Sequence, residues 1–333
     1  MIMAEKIYRR TYKSGDVYVG PLVNELPCPE GEYTYVNGDK YKGAYLGDYP
    51  HGKGTITFVS GNVYSGDVRF GRMHGKGSIK YADGRKFVGR FRRGKKSGKG
   101  TMYFVAPHEL TKFEGYYLGD KPVYGTDYFV GGTKYTGFFK NDKRHGRGKY
   151  EYASGTTVKG NFVGDSLDYS RAMKVDYSSG DKYVGTYTPD GKRLKGKMTL
   201  KDGATYDGDW ENDIFHGKGT LVLPDGTTYK GDFVNGKSCG KGVLTFPSGG
   251  RYEGDFFDSQ PHGQGTEYVA NGNKYVGTWK NGERFGKHCY YWANGDVCKD
   301  GMYYADGTSS GTVIHPDGTR RFTKWDKHGN VVN

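Results

Sequence analysis

The pattern aromatic-x-Gly recurs along this chain at a nearly fixed interval, and few folds can accommodate that. Its first position falls at Tyr18, Tyr41, Tyr64, Phe87, Phe113, Tyr135, Val158, Tyr183, Tyr206, Tyr229, Tyr252 and Tyr275. The interval is 23 residues, except for 26 before Phe113, 22 before Tyr135 and 25 before Tyr183. Gly follows two residues later in every copy, and an apolar residue four residues later, from Leu22 through to Trp279. Self-similarity at this period marks an array in which each repeat is one supersecondary element that buries its apolar face only against its neighbours.

Each repeat reads as a β-hairpin. In Thr220 to Phe233 the alternation of Leu221 and Leu223 has period two, a Pro-Asp-Gly turn follows, and Tyr229, Gly231 and Phe233 share one face. Asn-Gly or Asp-Gly recurs at that phase, for example at Asp83-Gly84, Asp225-Gly226 and Asn294-Gly295, where it supplies the positive φ of a tight turn. No stretch carries the 3.6-residue period and caps of a helix. A Gly between two rings leaves bare backbone for a neighbouring ring to cover. Composition agrees: 57 Gly and 31 Tyr in 333 residues, with mean hydropathy of -0.81, suit many thin layers better than one thick core. The aromatic content argues against disorder.

The predicted fold is therefore all-β, an elongated single-layer antiparallel hairpin solenoid, twisted or curved, with an open groove. Its expected parts are a half-repeat cap over 1–17, repeats 1–6 over 18–157, an irregular repeat 7 over 158–182, repeats 8–12 over 183–297, and a degenerate repeat and cap over 298–333. The register slips predict loops or a bend near 105–110 and 165–175.

The unit YxGxFxxxxxHGxGxxxxxxG resembles the MORN repeat (membrane occupation and recognition nexus). The best copies run Tyr41 to Gly61, Tyr64 to Gly84, Tyr135 to Gly155, Tyr206 to Gly226 and Tyr252 to Gly272, with His-Gly-x-Gly at His51, His74, His145, His216 and His262. Departures are Val123-Tyr124-Gly125 in place of His-Gly, Val158 in place of Tyr, and Cys239 in the His position. The resemblance covers about residues 8 to 320. It implies open antiparallel sheets coiled into a groove, and scaffolding of cytoskeletal, ciliary or membrane-associated assemblies. In some members a partner helix lies in the groove, and for several acidic phospholipid binding has been proposed.

Apparent catalytic motifs dissolve in the repeat register. Gly231 to Ser238 spells GxxxxGK[ST], but a phosphate-binding loop needs a following helix, and CGKGVLTFPSGG cannot form one. Two GxSxG matches, from Gly236 and from Gly307, lack a strand-to-helix elbow. His51 and His74 stack one repeat apart, but the column ends at Ser97, so hydrogen bonding at the hairpin connection is favoured over metal binding. Cys28, Cys239, Cys289 and Cys298 form no CxxC pair. No apolar signal region or 18-residue apolar run occurs. The expectation is a cytoplasmic, non-enzymatic protein with no catalytic residue, metal or cofactor.

Two surfaces are candidates for function. The regular run of rings at Tyr206, Trp210, Tyr229, Phe233, Tyr252, Phe256, Tyr275 and Trp279 is the candidate partner groove. The stretch from Arg69 to Lys99 carries twelve cations against a single Asp83 within a chain of net charge +13. Its candidate anion-binding residues are Arg69, Arg72, Lys76, Arg85, Lys86, Arg90, Arg92, Arg93, Lys95, Lys96 and Lys99. The expected function is a scaffold or adaptor of the cytoskeleton, cilium or flagellum, binding cytoskeletal or axonemal proteins along the groove. The alternative is a peripheral tether that meets acidic phospholipid headgroups through repeats 3–4. A homodimer through one end, at Tyr229 to Asn294, is expected because open sheet edges invite pairing. Nucleic acid is disfavoured because the rings are committed to the core.

Overall fold

The structure, a computed structural model, describes residues 6–332; the ends of the two expected caps, residues 1–5 and 333, lie outside the described residues. The chain divides into two units, Met1–Asp168 and Tyr169–Asn333, and the division falls within the irregular repeat 7. Every described element is a β-strand and every strand pairing is antiparallel.

In the first unit, seven-residue strands alternate with nine-residue ones. Lys40–Leu46 pairs with Tyr49–Thr57, Val63–Arg69 with Arg72–Lys80, Lys86–Arg92 with Lys95–Tyr103, and Lys134–Lys140 with Lys143–Glu151. Leu110–Leu118 and Lys121–Phe129 are both nine residues long. The second unit repeats the scheme with Thr205–Glu211 and Ile214–Val222, Thr228–Val234 and Lys237–Thr245, Arg251–Phe257 and Gln260–Tyr268, and Lys274–Lys280 and Glu283–Tyr291. Further strands, from Val297–Tyr303 to Val331–Val332, extend that sheet. Tyr229 to Asn294 are therefore interior strands of their unit and do not form a sheet edge, contrary to the expected dimer contact.

The length mismatch is absorbed by a bulge. Gly66 opposes Gly77, but the next residue, Asp67, opposes His74, so Gly75 and Lys76 have no partner on the Val63–Arg69 strand. The bulge disturbs the ladder, and the repeat's own side chains repair it. Tyr64 Oη donates to the Asp67 carbonyl at 2.6 Å, and Asp67 Oδ2 accepts the Lys76 N–H at 2.8 Å. The same phenol-to-carbonyl bond recurs from Tyr41, Tyr206, Tyr229 and Tyr252.

The phenol reaches that far because its ring lies flat over two facing glycines. A Cβ on Gly219 would stand 2.5 Å from Tyr206 Cε2. The apolar residue four positions on packs edge-to-face against its own ring and that of the preceding repeat: Phe233 meets Tyr229 at 5.1 Å and Tyr206 at 5.2 Å, and Phe256 meets Tyr252 at 5.2 Å and Tyr229 at 4.8 Å. Each edge-to-face pair contributes about 0.5–1.5 kcal/mol beyond the buried area. The zigzag of rings is the core, and it lies on one face of each sheet.

The two hairpin connections differ from the sequence expectation. At the Asn-Gly and Asp-Gly phase only Gly has positive φ, as at Gly226 (φ 88), whose N–H donates to the Leu223 carbonyl while Leu223 N–H donates to Thr227. The mirror-image two-residue turn, with positive φ at both residues, is the other connection, as at Asn235 (φ 49) and Gly236 (φ 83). The register slips have physical causes too: residues 104–109 and 168–172 leave the strands as loops.

Candidate binding surface

With the rings on one face, the opposite face of each sheet is what a partner can reach. Its floor is the bare backbone of the paired glycines and short side chains such as Ser65 and Ser78, and its walls are long polar side chains. In the first unit this makes a trough of about 540 Å³ beside Lys53, Lys76, Arg90 and Lys99; in the second, one of about 700 Å³ beside Lys195, Lys218, Lys230 and Lys241.

A ladder of cross-strand ion pairs runs along this face. Lys53 stands opposite Asp67 at 2.5 Å, Lys195 opposite Asp209 at 3.1 Å, Lys218 opposite Asp232 at 2.5 Å, and Lys241 opposite Asp255 at 2.6 Å. The carboxylate also accepts the bulge N–H, so one Asp serves two ends. Hydrogen bonding to Lys53 holds the Asp67 carboxyl below its ordinary range, and Lys241 does the same for Asp255.

The eight expected groove rings lie on the other face and are buried: Tyr206, Trp210, Tyr229, Phe233, Tyr252, Phe256, Tyr275 and Trp279 are at most 7% exposed. Their faces and edges are occupied by one another, so they set the spacing of the trough without lining it. This corrects their placement in a partner groove.

The cationic stretch is split by the pleat. Arg69, Arg72, Lys76, Lys86, Arg90, Arg92, Lys95 and Lys99 are exposed on the trough face. Arg93 occupies a turn tip at φ 52. Arg85 is held by Asp83 at 2.7 Å and lies over the Tyr81 ring, and Lys96 lies over the Phe87 and Tyr117 rings. Burial pushes the Lys96 ammonium pKa down. Residues one repeat apart are two strands apart; the like charges in direct opposition are Arg69 with Arg72, Arg92 with Lys95, Lys76 with Arg90, and Lys80 with Lys86.

Sequence reasoning missed Tyr116, Tyr124 and Phe138, which are exposed on the trough face beside these cations. The signal was present: the column one residue beyond the paired Gly holds Asp67, Asp209, Asp232 and Asp255, but Arg90, Tyr116 and Phe138 in consecutive repeats. The histidines take local roles. The His74 and His216 carbonyls accept phenol hydrogen bonds, and His216 Nδ1 lies 3.2 Å from Glu211. Among the described residues no three His, Cys, Asp or Glu side chains are arranged to hold a metal ion, the four cysteines are unbridged, and no helix is long and apolar enough to cross a membrane.

Eight segments, 41–63, 64–84, 87–105, 135–157, 206–228, 229–251, 252–274 and 275–297, match the sequence profile of the MORN repeat. No curated protein sequence matches the chain significantly. Solved structures that match the chain include the TCP domain of Drosophila melanogaster SAS-4 (dCPAP) with a proline-rich motif of Ana2, at 12% identity and a TM-score of 0.31 over 53% of this chain and 88% of that one. A mutant TCP10 domain of Danio rerio CPAP matches at 15% identity and 0.34 over 62% and 95%. An inactive virginiamycin B lyase from Staphylococcus aureus matches at 8% and 0.14 over 87% and 93%. At these scores none of them bears on function.

Proposed function

The chain belongs to the MORN-repeat family, and from that premise we propose that it is a non-enzymatic scaffold that binds partner proteins along the trough face of its sheets. The observation that carries this is the uniformity of that face. Paired glycines recur as its floor and four repeats set a Lys–Asp pair across it, so polar groups are spread at strand spacing and do not converge on one point as catalysis requires. Repeat arrays use such surfaces for extended contact. Partners of the cytoskeleton, cilium or flagellum, and a cytoplasmic location at an axoneme, basal structure or cell cortex, complete the proposal.

Removing whole repeats tests it. Deleting 229–251, or 229–274, excises one or two 23-residue periods and preserves the register. Capture of native partners should weaken stepwise with each deletion while the strand signal in circular dichroism falls in proportion. Partner binding that is indifferent to both deletions would count against a distributed surface. Pairing of two copies through an exposed sheet edge belongs to the same proposal, and light scattering on the intact chain decides it.

A second reading is favoured by one observation: eight cations of repeats 3–4 share the exposed face, with like charges directly opposed. Acidic phospholipid headgroups would neutralise them. Flotation with anionic and neutral vesicles at low salt distinguishes this reading, which requires retention by the anionic vesicles alone.

A further inference from the structure

The ion-pair ladder is interrupted from Lys76 to Asn161 in the first unit and at Gln264–Thr278 and Lys287–Met302 in the second, and the first interruption is where like charges and exposed rings face one another. Lys76 should face a carboxylate, as Lys53 and Lys218 do, but faces Arg90. Lys99 faces Tyr116 instead of an Asp. Tyr116 faces Tyr124, and Tyr124 faces Phe138 with ring centroids 5.0 Å apart. Among the described residues no carboxylate lies within ion-pairing distance of Lys76, Arg90 or Lys99. The three rings are 41–52% exposed, unlike the core rings on the other face.

This departure costs the fold stability at each position. Like charges directly opposed on a sheet repel. Without the Asp, the bulge loses the carboxylate that accepts its N–H. Large rings stand in water where other repeats place Thr186 or Thr278. Local rules broken together, with the single Tyr124–Phe138 ring contact in return, point to a site kept for binding.

We propose that this row, Lys76, Arg90, Lys99, Tyr116, Tyr124 and Phe138, docks a segment of a partner protein that carries a cluster of carboxylates followed by aromatic or large apolar side chains. It rests on the scaffold proposal and narrows it to one stretch of trough. Charge complementarity sets the acidic part, because none of the three cations has a carboxylate in ion-pair contact. The adjoining rings set the apolar part. Six strands at about 4.8 Å place the row over about 24 Å, the reach of about seven extended residues. A chain is favoured over a bilayer because the cations wall a hollow, into which a narrow segment fits and a flat surface does not.

The experiment uses the full chain and a fluorescent peptide bearing three glutamates followed by three phenylalanines. Control peptides replace the glutamates with lysines or the phenylalanines with serines. The first peptide should bind on the order of tenfold more tightly than either control and lose affinity with added salt. Arg90→Asp with Tyr116→Asp restores the ladder's own residues. That variant should lose peptide binding by at least about tenfold yet unfold at a higher temperature than the parent. Tyr116→Thr with Phe138→Thr, which copies other repeats, should lose the discrimination between phenylalanine and serine peptides.

Equal binding of all three peptides overturns the proposal, as does undiminished binding by the ladder-restoring variant. Retention by phosphatidylserine vesicles, lost in that variant, with no peptide binding, overturns it in favour of lipid. Failure of the scaffold proposal shows elsewhere, as a flat response to the repeat deletions whatever the peptide does.

Discussion

At the scale of the residue, each repeat depends on a Tyr and two glycines that fit one another. Tyr206 covers Gly208 and Gly219, and its hydroxyl bonds the Asp209 carbonyl at 2.7 Å that the bulge would otherwise strand. The two parts of this arrangement should fail unequally. Gly219→Ala forces a methyl into the ring and should cost about 3 kcal/mol, in the range of core overpacking. Tyr206→Phe removes only the hydroxyl and should cost about 1 kcal/mol, as the presence of Phe87 and Phe113 in the same column suggests. Urea unfolding measures both, and equal costs would mean that the ring does not rest on the glycine. The buried rings were legible from spacing alone, since a column apolar in every copy has to face a core. Which face remained free was not. Period two tells which residues share a face, whereas glycine leaves the backbone bare on both, so the same eight rings could be read as core or as groove.

At the scale of the element, hairpin pairing was legible and turn chemistry only partly so. Asn-Gly and Asp-Gly correctly marked a connection, but the mirror-image turn sits at the opposite end of the strands, where the first residue is Asn212, Asn235 or Asn281 and also Phe70 or Arg93. A dipeptide signal could not find it there, because its residues vary from copy to copy. The loops at 104–109 and 168–172 were legible as changes of interval, since extra residues have nowhere to go within a fixed pair of strands. Arg93 has φ 52, a conformation that costs most residues about 1–2 kcal/mol and Asn much less. Its side chain is exposed, so little contact is lost on replacement. Arg93→Asn should therefore raise stability by about 1 kcal/mol, seen as a higher urea midpoint with an unchanged slope. A destabilised variant would show that the guanidinium makes an interaction worth more than the turn strain.

At the scale of the whole molecule, the repetition of one buried phenol fixes how the chain responds to pH. Burial pushes the Tyr41, Tyr206 and Tyr229 hydroxyls up to about 12, and Tyr64, Tyr135, Tyr183, Tyr252 and Tyr275 are raised by the same cause. A phenol is neutral when protonated, and its ordinary value is about 10. The folded state therefore holds these protons more tightly than the unfolded chain does. Their contribution is complete below about pH 10 and is lost as pH rises towards 12 and beyond. On the acid side the shifted groups of the ladder, Asp67 and Asp255, have folded values below the ordinary range, so their contribution is lost only as pH falls through and below about 4. Those pairs are more than a third exposed or close to it, and surface pairs contribute about 0–1 kcal/mol each. The ladder pairs should thus matter less in acid than the buried phenols do in base. Because each ring also packs on the next repeat's apolar residue, ionising one layer removes support from its neighbour, and the alkaline transition should be steeper than independent titrations allow. Tyrosinate absorbance and the strand signal in circular dichroism, followed together from neutral pH upward, should change in one coincident step above pH 10 for the buried set. Full ionisation of the tyrosines with the strand signal intact would show that the phenols are not held against the bulge carbonyls, and the ring ladder would then not be what binds one repeat to the next.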